Sequence, residues 1–399
     1  MRTVFKNAKI ITRHRIIDDG SLLVESGKVA GIKQGGAFPE LENDRVIDAK
    51  GSYLSPGFID MHTHGAGDAD FLDGTTEAVL QVCRTHMNHG TTSIMPTTLS
   101  CPSDELYRNL DIIASVAKAT QDIPEIVGVH LEGPYFSPQM SFAQDARFIK
   151  YPDRAEYEQI LRRCPIIKRW TVAPELAGAL EMGRWLRENG IIASIGHSNA
   201  VYDEVVLALE NGYSMVTHLF NGMSRLTRKD ALMYPGVAES ALILDDLDVE
   251  MIADGKHLPP SILKLIYKTK GADRICLVTD SMRAAGLDVK ESILGSKANG
   301  QRVEIEDGVA YMPDRSSFGG SIATADRLVR TVHCTVGIPL LESVKMMTDV
   351  PARVLGINGR KGSLEIGKDA DVVLFGENID IRLVMVKGDV KVDNYEPND

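Results

Sequence analysis

Short apolar segments at 58–62, 92–96, 126–132, 167–174, 191–197, 213–219, 248–253 and 274–280 recur through the middle of the chain, with helical stretches following most of them. Such alternation leaves few architectures, because a strand that returns parallel to its neighbour needs a crossover, usually a helix. Eight such segments predict a (β/α)8 barrel of the TIM type, whose chemistry sits at the C-terminal ends of the strands. Between strands, 75–90 places Val79, Leu80, Cys83 and Met87 on one face with Gly90 as a cap, and the helix opened by 100–106 repeats Leu106, Leu110, Ile113 and Ala117. The end regions differ. Runs at 3–11, 21–32, 370–375 and 382–390 alternate with period two and are split by turn residues. Neither end has enough strands for a stable sheet, so the termini are expected to pair into one small β-sandwich domain, 1–55 plus 351–399, around a barrel at 56–350.

Several function classes drop out early. The net charge is −11 and no basic block occurs, which excludes a nucleic-acid footprint. Five scattered cysteines (83, 101, 164, 276, 334) lack CxxC spacing and are expected as reduced thiols, largely core filler, in a cytoplasmic protein. Neither a secretory leader nor a membrane-spanning apolar run is expected.

The strand ends carry the chemistry. Val-Gly-Val-His-Leu-Glu-Gly-Pro (127–134) stops at Glu132, Ile-Ala-Ser-Ile-Gly-His-Ser (192–198) at His197, and Ser-Met-Val-Thr-His-Leu-Phe-Asn (214–221) at His218. A carboxylate and two imidazoles at successive strand ends form a candidate open divalent-metal site. Phe-Ile-Asp-Met-His-Thr-His-Gly (58–65) adds His62 and His64, which alternation puts on one side of the pleat. Cys-Leu-Val-Thr-Asp-Ser (276–281) adds Asp280, as ligand, general base or both. A lone histidine is usually a hydrogen-bonded structural residue, the expectation for His14, His86, His89, His130 and His333. An Asp-Gly turn predicts a hairpin within 287–313, and Ser-Ser-Phe-Gly-Gly-Ser (316–321) is a flexible stretch able to approach a ligand.

Taken in order, His-Thr-His-Gly, Leu-Glu-Gly-Pro, Gly-His-Ser, Thr-His-Leu-Phe-Asn-Gly-Met, Ala-Asp-Gly-Lys-His-Leu and Val-Thr-Asp-Ser resemble the N-acetylglucosamine-6-phosphate deacetylases of the amidohydrolase superfamily. The resemblance covers essentially the whole chain, including the Gly-Ser-Leu-Glu-Ile-Gly-Lys run of the terminal domain. It implies a cytoplasmic homodimer that hydrolyses the acetamide of an amino-sugar phosphate. By resemblance Glu132, His197 and His218 hold a divalent ion, with Zn2+ favoured over iron, cobalt or manganese, and His62 with His64 hold a second where one binds. Asp280 matches the general base and acid. Asn221 and Gly222 match the segment touching the sugar phosphate, His257 the substrate histidine, and Phe318, Gly319 and Gly320 the loop over the sugar. Many hydantoinase-like relatives use a carboxylated bridging lysine, whereas Lys168 falls too early on its strand to match it.

Two departures stand out. Where relatives commonly carry Gly-Ala-His, with the histidine on the acetamide, this chain has Phe-Ala-Gln with Ala143 and Gln144, and glutamine can donate a hydrogen bond but carries no charge. Where relatives show an arginine followed by Glu-Pro-Gly for the phosphate, this chain has Arg-Leu-Thr-Arg-Lys-Asp-Ala-Leu-Met-Tyr-Pro-Gly at 225–236. Residue type favours Arg228, whose planar fork suits phosphate, and spacing favours Lys229. The motifs do not read the sugar's 4-hydroxyl, so N-acetylgalactosamine 6-phosphate stays open as substrate, with a cyclic amide further off.

Overall fold

A computed structural model describes residues 2–119 and 122–395. Its centre is a ring of parallel strands in the order Phe58–Thr63, Thr91–Thr98, Val129–Glu132, Ile167–Val172, Ile192–Ile195, Tyr213–Val216, Asp248–Ile252 and Ile275–Val278. These are the eight segments read from the sequence. The ladder is continuous except at the seam between the last strand and the first. There the Asp280 amide donates to the His62 carbonyl at 2.9 Å, and Thr279 Oγ1 donates to Asp60 at 2.6 Å.

Helix Thr76–Asn88 starts at Thr75, whose side chain accepts from the Ala78 amide, and it buries Val79, Val82, Cys83 and Met87. Leu80 is only partly covered, and the C-cap is His89 rather than Gly90. Helix Ser103–Ala119 buries Leu106, Leu110 and Ile113 as expected, with Val116 rather than Ala117 completing the face.

Both chain ends enter one eight-stranded sheet. Strand Arg2–Ile11 pairs with Ile16–Glu25 on one side and Tyr53–Pro56 on the other, and Tyr53–Pro56 pairs in turn with Val372–Phe375. A separate core of Phe5, Ile10, Leu22, Leu54, Leu374 and Met385 lies against it. Helix Asp349–Val354 spans the expected boundary at 351 as one element: Val350 packs with Met95, Met215, Ile252 and Cys276, and the partly buried Val354 packs against the same cluster. The chain regains the sheet at the Lys28–Asp369 bridge and re-enters it as a strand at Val372.

Two additions stand on the barrel. Glu291–Leu294, Gln301–Glu306, Val309–Tyr311 and Phe318–Ser321 form an antiparallel sheet, its central hairpin turned at Asp307-Gly308 with both φ positive, as that dipeptide predicts. A second hairpin, Thr227–Lys229 with Leu232–Tyr234, is exposed at all its strand residues. No helix among the described residues is long and apolar enough to cross a membrane. All five cysteines are unpaired; Cys83, Cys164 and Cys276 are buried, Cys101 is half-buried and Cys334 is exposed.

Candidate active site

Apolar strands hold the barrel wall, and the chain leaves three of them through residues with left-handed backbone: His197 at φ 49°, His218 at φ 30° and Asp280 at φ 44°. Non-glycine residues adopt that region only when their surroundings enforce it. Here each such residue turns a functional side chain into one buried cluster. Glu132 Oε1 lies 2.9 Å from His218 Nε2 and 3.3 Å from His197 Nε2, while Oε2 lies 3.3 Å from His64 Nε2. Asp280 Oδ1 is 3.2 Å from the Nε2 atoms of both His62 and His64, which are themselves 3.3 Å apart.

The outer nitrogens decide what those inner ones are. His197 Nδ1 faces the Met140 carbonyl at 2.7 Å and His218 Nδ1 the Asn221 carbonyl at 3.0 Å. A carbonyl oxygen only accepts, so each Nδ1 carries the proton and each Nε2 of a neutral ring is a lone pair. His62 Nδ1 likewise donates to the Glu250 carboxylate at 3.0 Å. Lone pairs aimed at carboxylate oxygens within a buried cluster repel unless a cation lies among them. The residues therefore fit a divalent ion: Glu132, His197 and His218 form one donor group, and His62, His64 and Glu132 a second.

Electrostatics agree. Burial alone would depress the imidazolium of His64, but Asp280 and Glu132 push it up to about 10, and Glu132 lifts His218 to about 9 against the same penalty. Burial would raise the Glu132 carboxyl, yet His197, His218 and His64 hold it well below the usual range. For Asp280 too, His62 and His64 outweigh burial and keep the carboxyl low. Positive charge is what this cluster holds, as protons or as a metal.

Sequence reasoning missed the layer beneath. Arg169, wholly buried in the barrel, forms an ion pair with Glu250 and donates to Ser194 and Thr217. Glu250 also accepts the His218 amide at 3.0 Å, so one carboxylate steadies two candidate ligands. Both charges sit within strands that read as ordinary buried β segments, and only spacing across the closed barrel pairs them. The histidines expected to be structural are so: His130 bonds Thr97 and Thr171, His86 bonds Thr63 and Ser281, His89 pairs with Asp326, and His333 bonds the Ile338 carbonyl. His14 is exposed. Lys168 points out of the barrel into solvent, away from the cluster.

The cluster floors a cavity of about 690 Å³ lined by Ala143, Gln144, Asn221, Gly222, His257, Phe318 and Gly320, among others. Gly222 has φ 59° and no room for a side chain, since a Cβ there would come 3.0 Å from the His197 ring. Gly319 is not part of this lining; it backs onto Val303. His257 Nδ1 pairs with Asp254 at 2.8 Å, and the ring packs tilted against Phe318, 4.7 Å between centroids. Gln144 does not hang free over the cavity: its amide nitrogen donates to Glu132 Oε2 at 2.8 Å, and its oxygen accepts from the Ser100 amide at 2.9 Å. Arg228 and Lys229 lie on the exposed hairpin, outside the lining. The cationic side chains along it are Arg225, which donates to the Phe220 carbonyl, and Arg315 from the added sheet. Within 225–236 the chain folds as that hairpin, which holds the two expected residues outside the lining.

Comparison with known proteins accords with this geometry. The amidohydrolase family model matches residues 53–391. The chain is 31% identical to the N-acetylglucosamine-6-phosphate deacetylase of Lysinibacillus sphaericus over 394 residues, 98% of this chain and 97% of that one. It is 28% identical to the N-acetylgalactosamine-6-phosphate deacetylase of Escherichia coli O157:H7 over 97% of this chain and 99% of that one. A solved structure of a variant N-acetyl-D-glucosamine-6-phosphate deacetylase from Mycobacterium smegmatis, in complex with N-acetyl-D-glucosamine 6-phosphate, superposes with a TM-score of 0.89 at 29% identity. It covers 98% of this chain and 99% of that one.

Proposed function

The chain belongs to the amidohydrolase family, and we propose that it hydrolyses the acetamide of N-acetylglucosamine 6-phosphate to glucosamine 6-phosphate and acetate. The observation that carries this reading is the convergence of Glu132, His197, His218, His62, His64 and Asp280 on the floor of a cavity with arginines along its wall. Its volume suits a sugar phosphate. The Mycobacterium smegmatis relative, solved with this substrate, supports the same reading.

A divalent ion at Glu132, His197 and His218 would lower the pKa of a water and polarise the acetamide carbonyl. The ligand set favours Zn2+, with iron, cobalt and manganese as alternatives. The remaining work falls to the chain. Asp280, ionised and aimed at the same point, accepts a proton from the attacking water at Oδ1 and returns it to the departing amine nitrogen. His257, its Nδ1 fixed by Asp254, keeps Nε2 for the substrate, and Phe318 walls the sugar. Arg225 takes the phosphate within the subunit, in place of Arg228 or Lys229. Those two project from the hairpin toward a second copy, for which the exposed Leu226, Leu232, Met233 and Tyr234 supply an apolar contact in a homodimer. Unpaired cysteines suit a cytoplasmic location.

The test is steady-state deacetylation by metal-quantified protein of N-acetylglucosamine 6-phosphate, its 4-epimer and the unphosphorylated sugar. Preference for the first is expected. A higher kcat/KM on the galactosamine epimer would reassign the substrate, and absence of turnover on all three with metal bound would end the proposal.

A further inference from the structure

Gln144 occupies a position that its amide cannot leave without cost. Ser100 presents a backbone N–H, which only donates, so the Gln144 oxygen must face it at 2.9 Å and the amide nitrogen must face Glu132 Oε2 at 2.8 Å. The side chain is almost wholly buried, and no rotation exchanges the two ends without leaving a buried donor unpaired.

That fixed donor divides the Glu132 carboxylate. Oε1 faces His218 at 2.9 Å and His197 at 3.3 Å, whereas Oε2 faces His64 at 3.3 Å and also accepts from Gln144. A neutral donor occupies one lone pair of Oε2 and draws charge from it, so the two oxygens are unequal ligands. We infer that Gln144 is a positioning residue that grades the two candidate ion sites, making the His197–His218 side load first and the His62–His64 side second. Gln144 thereby acts through Glu132, unlike the acetamide-contacting histidine expected at this position from resemblance. The inference rests on the reading of the cluster as a divalent-ion site.

The experiment titrates chelator-stripped full-length protein with Co2+, followed by visible absorption and calorimetry. Wild type is expected to show two unequal steps. Gln144→Met, similar in length but without a donor, is expected to bring the second affinity closer to the first by about tenfold, the scale of one hydrogen bond to a charged group. Gln144→Leu, similar in volume and without any donor, should shift the ratio in the same direction; it remains informative if the Met variant fails to fold. Equal steps in wild type, or an affinity ratio within about threefold of wild type in the variants, overturns the inference. If wild type takes one ion only, a second ion gained by Gln144→Met or Gln144→Leu supports the inference and its absence in both overturns it. No sugar is present, so graded binding in a protein that fails to deacetylate would refute the activity and leave this inference standing. Equal binding in a working deacetylase would do the reverse.

Discussion

Glu250 Oε2 lies 3.0 Å from His62 Nδ1, and that contact turns the other nitrogen of the ring toward Asp280 and Glu132. The same carboxylate neutralises Arg169 inside the barrel. Glu250→Ala is therefore expected to leave a buried guanidinium unpaired and to destabilise the protein by about 3–5 kcal/mol. Urea unfolding measures it; a midpoint equal to wild type would contradict the role.

Asp280→Asn keeps size and removes the base. Turnover should fall by about 10²- to 10⁴-fold while circular dichroism and metal content stay unchanged. Near wild-type kcat in that variant would remove Asp280 from proton transfer.

Arg225→Ala should raise KM for the phosphorylated sugar by about 10- to 100-fold, the scale of a lost charged hydrogen bond, with little effect on the unphosphorylated sugar. An equal effect on both would show that Arg225 does not read the phosphate.

Leu232→Asp places a charge on the apolar hairpin. Sedimentation should then report monomers. A dimer of unchanged affinity would place the interface elsewhere.

His86 offers a pH test one hydrogen bond behind the candidate ligands, through Thr63 and Ser281. Burial, aided by His89, pushes its pKa down to about 3, against about 6.5 in an unfolded chain. Below pH 6.5 the unfolded state binds a proton that the folded state refuses. The stability is whole above 6.5 and declines as pH falls toward 3, by up to about 1.4 kcal/mol per pH unit. Unfolding midpoints of wild type and His86→Gln between pH 4.5 and 7 should show the flatter profile in the variant; parallel profiles would contradict it.

What the sequence made legible follows from its physics. An apolar run that ends in a histidine or carboxylate advertises a strand end, and parallel closure brings such ends together, so His62, His64, Glu132, His197, His218 and Asp280 could be read in one dimension. Arg169 and Glu250 could not, since each is a charge within an apolar strand and only closure pairs them. That Arg228 and Lys229 lie outside the cavity lining could not be read, because three-residue, fully exposed strands carry no alternation, so the hairpin at 227–234 left no pattern. The expected boundary at 351 cuts helix Asp349–Val354 in two because a short apolar helix does not say which core it enters.

The left-handed backbone at His197, His218 and Asp280 has an evolutionary edge. Glycine enters that region freely, so replacing any of the three would relieve strain of roughly 1–3 kcal/mol. Selection for heat tolerance alone would thus favour erasing the reacting groups, and a lineage released from its substrate should lose these positions early while the barrel persists.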